Sequence, residues 1–439
     1  MYRKISEKLA KWKNENKRKP LIIIGARQVG KTYSVREFAE ANYEKTIEIN
    51  FQDEVKARTF FEESRSADDI ISYLEINNID VSLDENTLVF FDEIQLCPEL
   101  ITSLKFLGEK LKSDIICSGS MLGIRINGMS SFPVGYVGMI NMYPMSFDEF
   151  LKAKRLQQKF IDEARCAVAK REEVPQVVHE KLNELFTEYI ICGGMPEAVS
   201  NYIENGIKAA VKVNRRLFGD YELDIAHYAD SKTRLKALDC FKSIPLQLAK
   251  ENKKFQYKLV REGYNARHFD ESLAWLYNAG LIYQINRLKR IESPIEINKE
   301  LGIFKVYLFD TGLLVSSFQD GIVSEILNNT LGVYKGVVYE NVTATLLRAN
   351  GINAFYYEPT TSAEIDFVIE NNQEIIPIEV KGGLHTKSTS FNNFIKNHDC
   401  KKAFRFSKKN VGISDDGIVS YLPYYALEWI IEDELIKAD

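Results

Sequence analysis

The sequence predicts an α/β protein of several domains, and three observations carry that prediction. Short apolar runs suited to buried parallel strands alternate with helical patterns in the first third of the chain. A glycine-containing loop joins the first of these runs to a helix, and a second α/β pattern returns near the C-terminus. At 439 residues the chain exceeds one ordinary hydrophobic core, so about two to four domains are expected.

Composition and charge limit the classes of protein that the chain can be. With 45% hydrophobic residues, 27% charged residues and a net charge of −5, it is typical of a soluble globular protein without a general basic field for nucleic acid. No apolar run approaches about 18 residues, and the N-terminal stretch lacks the apolar core of a secretory signal. Six scattered cysteines without a C-x-x-C pair favour buried free thiols. We therefore expect a cytoplasmic protein that does not enter membranes.

A phosphate-binding loop follows the first predicted strand. Residues 1–19 predict a short amphipathic helix and a polar linker, and residues 20–150 begin the first domain. The apolar run Leu21–Ile24 precedes GARQVGKT, which matches the spacing G-x-x-x-x-G-K-[ST], and a helical pattern comes next. The glycines let the backbone approach a phosphate, while the loop amides and the helix N-terminus face the anion. This order favours a nucleotide site over a Gly-Lys turn without a ligand.

Individual residues of this loop are predicted to contact different parts of ATP and its Mg²⁺. Lys31 can reach the β- and γ-phosphates as a point charge, and the Thr32 hydroxyl can bind Mg²⁺. Lys31 is therefore also a candidate catalytic residue. The residues predicted to contact the nucleotide here are Gly25, Ala26, Arg27, Gln28, Val29, Gly30, Lys31, Thr32 and Tyr33.

Two further buried strands end in polar residues that suit ATP hydrolysis. The run TLVFF ends in Asp92 and Glu93, which resembles a Walker B segment. Asp92 is predicted to hold Mg²⁺ through water and Glu93 to polarise the attacking water, whereas a solvated acidic turn is the alternative. The run DIICSGS ends in small polar residues, so Ser118 or Ser120 can sense the γ-phosphate. A plain serine at a strand end explains either residue equally well, and Ser120 is included in the predicted nucleotide site.

Residues 151–235 are helical in pattern and rich in charge, which predicts a helical lid over the nucleotide. Ser146 and Glu149 have the spacing of a capping box at the start of the first of these helices. The lid contains a Gly-Gly-Met-Pro turn between helices. Arg215 and Arg216 are candidates for a sensor or finger arginine, although a solvated helix face explains them better.

Residues 236–320 follow the order of a winged helix-turn-helix, with three helical patterns and then two strands joined by a long polar loop. DNA contact and a spacer or protein-contact role fit this pattern equally well. The basic residues that could meet phosphates are Arg261, Arg267, His268, Arg287, Lys289 and Arg290.

The last domain, residues 325–439, is predicted to contain an antiparallel hairpin. The segments EIDFVIE and EIIPIEVK flank a short polar turn, as hairpin strands do. Folding the chain at this turn places Asp366 across from Ile378 or Glu379, within one residue of register. The two strands thereby bring acidic side chains from distant parts of the sequence together.

Four side chains of this domain form a candidate metal-dependent site. Glu379 and Lys381 are two residues apart and share a face of the strand, while Glu340 approaches from the preceding helix. Carboxylates such as Asp366 and Glu379 can hold Mg²⁺, and a neighbouring lysine can activate a water against a phosphodiester. We predict Glu340, Asp366, Glu379 and Lys381 as catalytic. An ordinary hairpin with a salt-bridged Glu and Lys is the alternative, because E-x-K is frequent by chance.

Over nearly its full length the chain resembles the prokaryotic AAA-type ATPases that end in a PD-(D/E)XK nuclease-like domain. The motifs that carry the resemblance are GARQVGKT, VFFDEIQ, GGMPEA and YEN…EIDF…PIEVK. Ile365 stands where the nuclease motif has proline. Gly135-Tyr136 stands where the family often has Gly-Arg, and Arg125 is a substitute suggested by proximity alone. The resemblance implies a P-loop NTPase parallel sheet with a helical lid, a winged helix-turn-helix and a C-terminal α/β PD-(D/E)XK-like domain.

Two functions from different classes follow from these motifs. The first is an enzyme that hydrolyses ATP with Mg²⁺ and acts on DNA through metal-dependent cleavage. The second is a nucleotide-dependent switch whose C-terminal domain binds DNA or a protein partner without cleavage, which the overall acidity favours. A small-molecule kinase is a third possibility, and the Asp92-Glu93 pair argues against it. The oligomeric state stays open, because none of the candidate finger arginines stands out.

Overall fold

The structure is a computed structural model. It describes residues 1–64, 66–120, 133, 135–229, 232–250, 253–318, 321–328, 330, 334–360, 363–382 and 389–436, so Arg125 lies outside the described residues. These residues divide into two compact units, Met1–Tyr143 with Asn278–Gly280, and Pro144–Tyr277 with Leu281–Asp439. Among them we find no helix with the length and apolar character that crossing a membrane requires.

The first unit is built on a parallel sheet. Its strands are β1 (Leu21–Gly25), β2 (Lys45–Asn50), β3 (Thr87–Asp92), β4 (Asp114–Ser120) and β5 (Gly138–Asn141). Their order across the sheet is β2-β3-β4-β1-β5, and every neighbouring pair is parallel. The register pairs Gly25 with Ser120 and Asn50 with Asp92, so the carboxyl ends of four strands meet at one edge. This edge is where α/β sheets bind ligands.

The helices of the first unit bury the sheet. They are α1 (Ile5–Lys13), α2 (Lys31–Asn42), α3 (Val55–Glu63), α4 (Ala67–Asn77) and α5 (Pro98–Lys110). Ile5, Leu9 and Trp12 form the buried side of α1, which confirms the predicted amphipathic helix. The rings of Phe61 and Phe91 lie 6.1 Å apart in the core between α3 and the sheet, and burying such a ring contributes about 1.5–3 kcal/mol.

The second unit begins with a run of helices. They are α6 (Phe147–Ala153), α7 (Gln158–Lys170), α8 (Gln176–Cys192), α9 (Pro196–Asn205), α10 (Ile207–Tyr228), α11 (Arg234–Leu248), α12 (Tyr257–Val260) and α13 (Ala266–Asn278), of which the last residue belongs to the first unit. Ser146 and Glu149 form the predicted capping box at the start of α6. The helices that follow are α14 (Thr311–Ser316), α15 (Ile322–Leu327), α16 (Tyr334–Ala349), α17 (Thr389–Asn397) and α18 (Leu427–Ile430).

The Gly-Gly-Met-Pro turn joins α8 to α9, as predicted, and it has a packing role. Gly193 has a φ of 71°, and a Cβ there would lie 2.3 Å from Oδ1 of Asp310. Asp310 caps α14 and accepts hydrogen bonds from the N–H groups of Gly194 (2.7 Å) and Leu313 (3.0 Å). The turn is therefore locked to the start of α14 within this unit.

The strands of the second unit form one mixed sheet. They are β6 (Ile282–Leu288), β7 (Lys299–Leu308), β8 (Phe355–Thr360), β9 (Ala363–Asn371), β10 (Glu374–Val380), β11 (Ala403–Ser407), β12 (Gly412–Ile413) and β13 (Val419–Pro423). Among the described residues the strand order is β12-β13-β11-β10-β9-β8-β6-β7. The two predicted wing strands, β6 and β7, thus continue the sheet of the C-terminal strands. The boundary predicted between residues 320 and 325 falls inside this continuous sheet.

The predicted C-terminal hairpin is confirmed. β9 and β10 pair antiparallel, with Ile378 opposite Phe367. Asn372 and Gln373 both have positive φ, as the two central residues of a type I′ turn require. This register places Asp366 opposite Glu379, one of the two positions that the sequence predicted.

Candidate functional site

The predicted phosphate-binding loop runs from Gly25 at the end of β1 to Lys31 at the start of α2. Gln28 and Gly30 have φ values of 59° and 96°, in the left-handed region. A Cβ on Gly25 would lie 2.2 Å from the carbonyl oxygen of Met142. The first glycine of the motif is therefore required by close packing of the backbone, a reason that the sequence pattern does not reveal.

The Lys31 side chain is buried inside the loop. Its Nζ donates hydrogen bonds to the carbonyl oxygens of Gly25 (3.1 Å) and Ala26 (2.9 Å). Burial lowers the pKa of Lys31 to about 8, although the charges of Glu93 and Asp92 act in the opposite direction. An anionic phosphate oxygen would be a stronger partner for this ammonium group than the two neutral carbonyls.

Asp92 lies at the end of β3 and is surrounded by neutral donors. Its Oδ2 accepts hydrogen bonds from Thr32 Oγ1 (2.9 Å) and Asn50 Nδ2 (3.1 Å), and its Oδ1 accepts one from Ser118 Oγ. The structure thus brings the two predicted magnesium ligands of this site, Thr32 and Asp92, into contact. Within the described residues, neither Asp92 nor Lys31 forms an ion pair, so both charges remain available to a ligand.

Glu93 and Ser120 lie at the ends of neighbouring strands and share a partner. The Glu93 carboxylate accepts a hydrogen bond from Nε2 of Gln95, whose Oε1 accepts the N–H of Ser120 at 3.1 Å. Glu93 itself has a φ of 56°. The Ser120 hydroxyl is buried and has no hydrogen-bond partner in the described part of the chain. It is therefore free to donate to a ligand at this edge of the sheet.

The remaining loop residues have different surroundings. Val29 is fully buried, Arg27 is half-buried and Gln28 is exposed. Tyr33 is 55% exposed in the first turn of α2. A side chain this exposed has room to contact a nucleotide base or the solvent.

In the C-terminal domain, Asp366 and Glu379 face each other across the hairpin. Oδ2 of Asp366 accepts a hydrogen bond from the N–H of Val380 at 2.8 Å. Glu379 is buried, with Oε1 lying 2.5 Å from Nζ of Lys381 and Oε2 lying 3.2 Å from Nε of Arg405. Three of the four predicted catalytic residues of this domain are thus near one another, and the chain supplies a second cation to Glu379.

Glu340 projects from α16 into a buried network of charges. It accepts hydrogen bonds from Lys253, Lys305 (3.4 Å) and Tyr307 (2.9 Å). Burial by itself would raise the pKa of Glu340, but the charges of the two lysines lower it. Lys305 is 1% exposed and also pairs with Glu364. The predicted catalytic role of Glu340 would require its carboxylate to exchange these hydrogen bonds for contacts with a metal ion or a substrate.

The carboxylates of Glu340 and Asp366 interact electrostatically, but the three carboxylates of this predicted site do not lie close enough together to share one metal ion. Burial, followed by the charge of Glu340, raises the pKa of Asp366. Among the described residues, acidic side chains close enough to share one ion are Asp148, Glu428 and Glu432. The set Glu340, Asp366 and Glu379 is not such a group.

Sequence reasoning missed several residues that contact the two sites. Asn50 and Gln95 were within its reach, because each stands beside a strand end at the edge that carries Asp92. Lys253, Lys305 and Arg405 gave no local signal. Their partners are distant in the sequence, and only the assembled sheet brings them together.

Several basic residues singled out in the lid and the winged helix already pair with acids. These pairs are Arg216 with Glu197 (2.5 Å), Arg261 with Asp239 (2.7 Å) and Arg287 with Glu300 (2.5 Å). The exposed ion pairs of Arg216 and Arg261 contribute about 0–1 kcal/mol each, so they do not prevent contact with a phosphate. Arg215 donates to the carbonyl oxygen of Ser316.

The fold and the loop define the first unit as an ATPase domain of the P-loop kind. Residues 17–151 match the family described as AAA domain, so this part of the chain is an ATPase domain of the AAA type. Residues 183–320 match a domain of unknown function (DUF8612), and residues 335–427 match a second domain of unknown function (DUF4143). No curated protein matches the chain.

Solved structures with partial likeness include ATPases. The Walker-type ATPase PABY2304 of Pyrococcus abyssi is 17% identical, with 72% of this chain and 95% of that chain covered and a TM-score of 0.42. The Orc1 protein of Aeropyrum pernix, solved in complex with DNA, is 13% identical, with 74% and 90% covered and a TM-score of 0.30.

Proposed function

We propose that the first unit binds ATP with Mg²⁺ and hydrolyses it. The contact of 2.9 Å between the Thr32 hydroxyl and the Asp92 carboxylate carries this proposal, because these two groups come from the two motifs that a magnesium nucleotide needs. The hydroxyl and carboxylate oxygens are the donors that Mg²⁺ prefers. When bound, the ion neutralises negative charge on the phosphate oxygens.

The residues around this contact have separate roles in hydrolysis. The loop amides and Lys31 hold the phosphates, and Lys31 exchanges its carbonyl partners for phosphate oxygens. Glu93 orients the attacking water and accepts its proton, while Gln95 holds the Glu93 carboxylate in place. The Ser120 hydroxyl donates a hydrogen bond to the γ-phosphate.

Phosphate release from ATP with Mg²⁺ tests this function. Wild-type protein is expected to release phosphate, and Lys31→Ala is expected to lose ATP binding and hydrolysis together. Lys8→Ala, which removes an exposed lysine of α1, is the matched control and should behave as wild type. Wild-type protein that neither binds nor hydrolyses ATP would overturn the proposal.

For the C-terminal domain we propose a nucleotide-dependent switch that does not cleave DNA, in preference to a metal-dependent nuclease. The observation that favours it is that cations of the chain itself pair with Glu340 and Glu379. A carboxylate neutralised by Lys253 or Lys381 attracts a divalent ion less than an unpaired one. In this proposal the C-terminal domain binds DNA or a protein partner, and Asp366 and Lys381 take no part in cleavage.

A cleavage assay separates the two alternatives. Wild-type protein is incubated with single- and double-stranded DNA, Mg²⁺ or Mn²⁺, and with or without ATP. We expect no products above those of Asp366→Ala. Metal-dependent products that disappear in both Asp366→Ala and Lys381→Ala would establish the nuclease instead.

A further inference from the structure

Arg3 is a buried cation beside the phosphate-binding loop, and none of the nucleotide motifs includes it. Its side chain is 5% exposed, just before α1. One guanidinium nitrogen, Nη1, donates a hydrogen bond to the carbonyl oxygen of Val29 inside the loop. The other, Nη2, donates to the carbonyl oxygen of Tyr143 at 2.7 Å. The guanidinium group therefore joins the loop to the segment that follows β5.

We propose that Arg3 is a positioning residue for the phosphates of ATP and acts through the peptide bond between Val29 and Gly30. This inference rests on the nucleotide site proposed above. A trans peptide is planar, so its carbonyl and its N–H point in opposite directions. When Arg3 fixes the Val29 carbonyl on one side, the Gly30 N–H is directed to the other side. In a loop of this kind that N–H is one of the donors that face the phosphates.

The backbone on both sides of Val29 needs such support. Gln28 and Gly30 both lie in the left-handed region, which costs a non-glycine residue such as Gln28 on the order of 1 kcal/mol. A loop in this conformation persists when its surroundings hold it. The Arg3 hydrogen bond acts on the residue between these two.

The second hydrogen bond of Arg3 secures the other end of the loop. Tyr143 follows Met142, whose N–H donates to the carbonyl of Ile24 at 2.7 Å. The Met142 carbonyl is the group that leaves no room for a Cβ on Gly25. By holding Tyr143, Arg3 keeps this segment against the start of the loop, so one side chain restrains both ends of the loop.

An arginine suits this task better than a lysine. The planar guanidinium group presents several N–H donors in fixed directions, so it can hold two carbonyls at once. Its charge also adds to the positive field that the N-terminus of α2 offers to an anion. A lysine at position 3 would keep the charge and lose one of the two fixed contacts.

The test compares ATP binding and steady-state hydrolysis in Arg3 variants of the full chain. Arg3→Met keeps the packing of the aliphatic stem and removes every donor. We expect it to raise the Kd and KM for ATP about tenfold. The kcat should change by less than about threefold, because phosphate contacts are made in both the bound and the transition state. Arg3→Lys should lie between wild type and Arg3→Met.

Arg18→Met is the control for a purely structural arginine. Arg18 pairs with Asp114 at the start of β4, away from the loop at the carboxyl ends of the strands. It is expected to lower stability without raising the KM for ATP. If Arg3→Met is not folded, Arg3→Lys decides, because an increase confined to Kd and KM supports the role and wild-type values overturn it.

Two outcomes would overturn the role of Arg3. One is a folded Arg3→Met with wild-type KM, and the other is an equal rise of KM in Arg3→Met and Arg18→Met. These outcomes differ from a failure of the proposed nucleotide site. If that site were wrong, Lys31→Ala and wild type would show the same ATP binding. Loss of binding in Lys31→Ala with unchanged Arg3 variants rejects the Arg3 inference alone.

Discussion

The nucleotide site and the C-terminal carboxylate site treat their charges in opposite ways. In the first, Lys31 donates to carbonyls and Asp92 accepts from neutral donors, so each keeps its full charge. In the second, Glu340 and Glu379 lie against cations of the same chain. The charges of Lys31 and Asp92 therefore remain available to a ligand, whereas the charges of Glu340 and Glu379 are already neutralised by cations of the chain. Similar sets of acids and lysines can therefore have different functions, and the distances between them decide which.

The largest expected effect tests the nucleotide site. Glu93→Gln keeps the shape of the side chain and removes the base, so we expect kcat for ATP hydrolysis to fall about 10²- to 10⁴-fold. The Kd for ATP should stay within about threefold of wild type. Single-turnover hydrolysis and calorimetric titration measure the two quantities. A variant that hydrolyses ATP at the wild-type rate would remove Glu93 from the mechanism.

The next prediction tests the C-terminal site as a structural network. Glu340→Ala leaves buried Lys305 and its neighbour Lys253 short of a partner, which should lower the free energy of unfolding by about 3–5 kcal/mol. Glu300→Ala, which breaks a more exposed pair with Arg287, should cost less than about 1 kcal/mol. Urea unfolding followed by circular dichroism measures both. Equal costs would show that the Glu340 pairs are as weak as surface pairs.

A third prediction uses pH to compare a carboxylate held by neutral donors with one held by cations. Burial raises the pKa of Asp310 to about 6, although N–H groups such as those of Gly194 and Leu313 act against this. The folded state thus binds the Asp310 proton more tightly than the unfolded state, whose pKa is about 3.9. This contribution is present at low pH and is lost as the pH rises through 6.

Asp310→Asn cannot titrate and isolates this contribution. The unfolding free energy of wild type minus that of Asp310→Asn should fall by about 1–3 kcal/mol between pH 4 and pH 7. For Glu340, whose pKa the lysines lower to about 2, the corresponding difference with Glu340→Gln should instead rise between about pH 2 and about pH 5. Denaturant titrations from about pH 2 to about pH 7 give both signs. Differences of the same sign would contradict the contrast.

The smallest expected effect returns to the nucleotide site. Ser120→Ala removes a buried hydroxyl that lacks a partner among the described residues, so the fold should lose little. If this hydroxyl donates to the γ-phosphate, kcat should fall about tenfold with little change in stability. Ser113→Ala, another buried hydroxyl without a partner in the described chain, is the matched control and should leave kcat unchanged.

Much of the nucleotide site could be predicted because its residues are consecutive in the sequence. The loop from Gly25 to Thr32 and the acids that end β3 are each one short stretch, and parallel strands bring their carboxyl ends to one edge. The contact of Thr32 with Asp92 follows from that topology. The hairpin register around Asp366 was predictable for a similar reason, because a tight turn fixes which residues face each other.

The partners that come from distant parts of the chain were beyond sequence reasoning. Arg3 holds a carbonyl 26 residues further along the chain, and Lys253 meets Glu340 87 residues away. The pattern of the winged helix did not reveal that its strands continue the C-terminal sheet, since strand patterns specify the faces of a strand and not its neighbour. Side chains such as Arg405 had no motif to identify them.

The sequence by itself determined the loop that we propose as the phosphate site, because a glycine loop, a lysine and a helix start act through local backbone geometry. Tertiary structure alone decided which charges stay free and which are neutralised, because an ion pair depends on distances between elements that the chain order does not contain. For that reason the two buried lysines have different partners. Lys31 donates to backbone carbonyls, whereas Lys305 pairs with carboxylates.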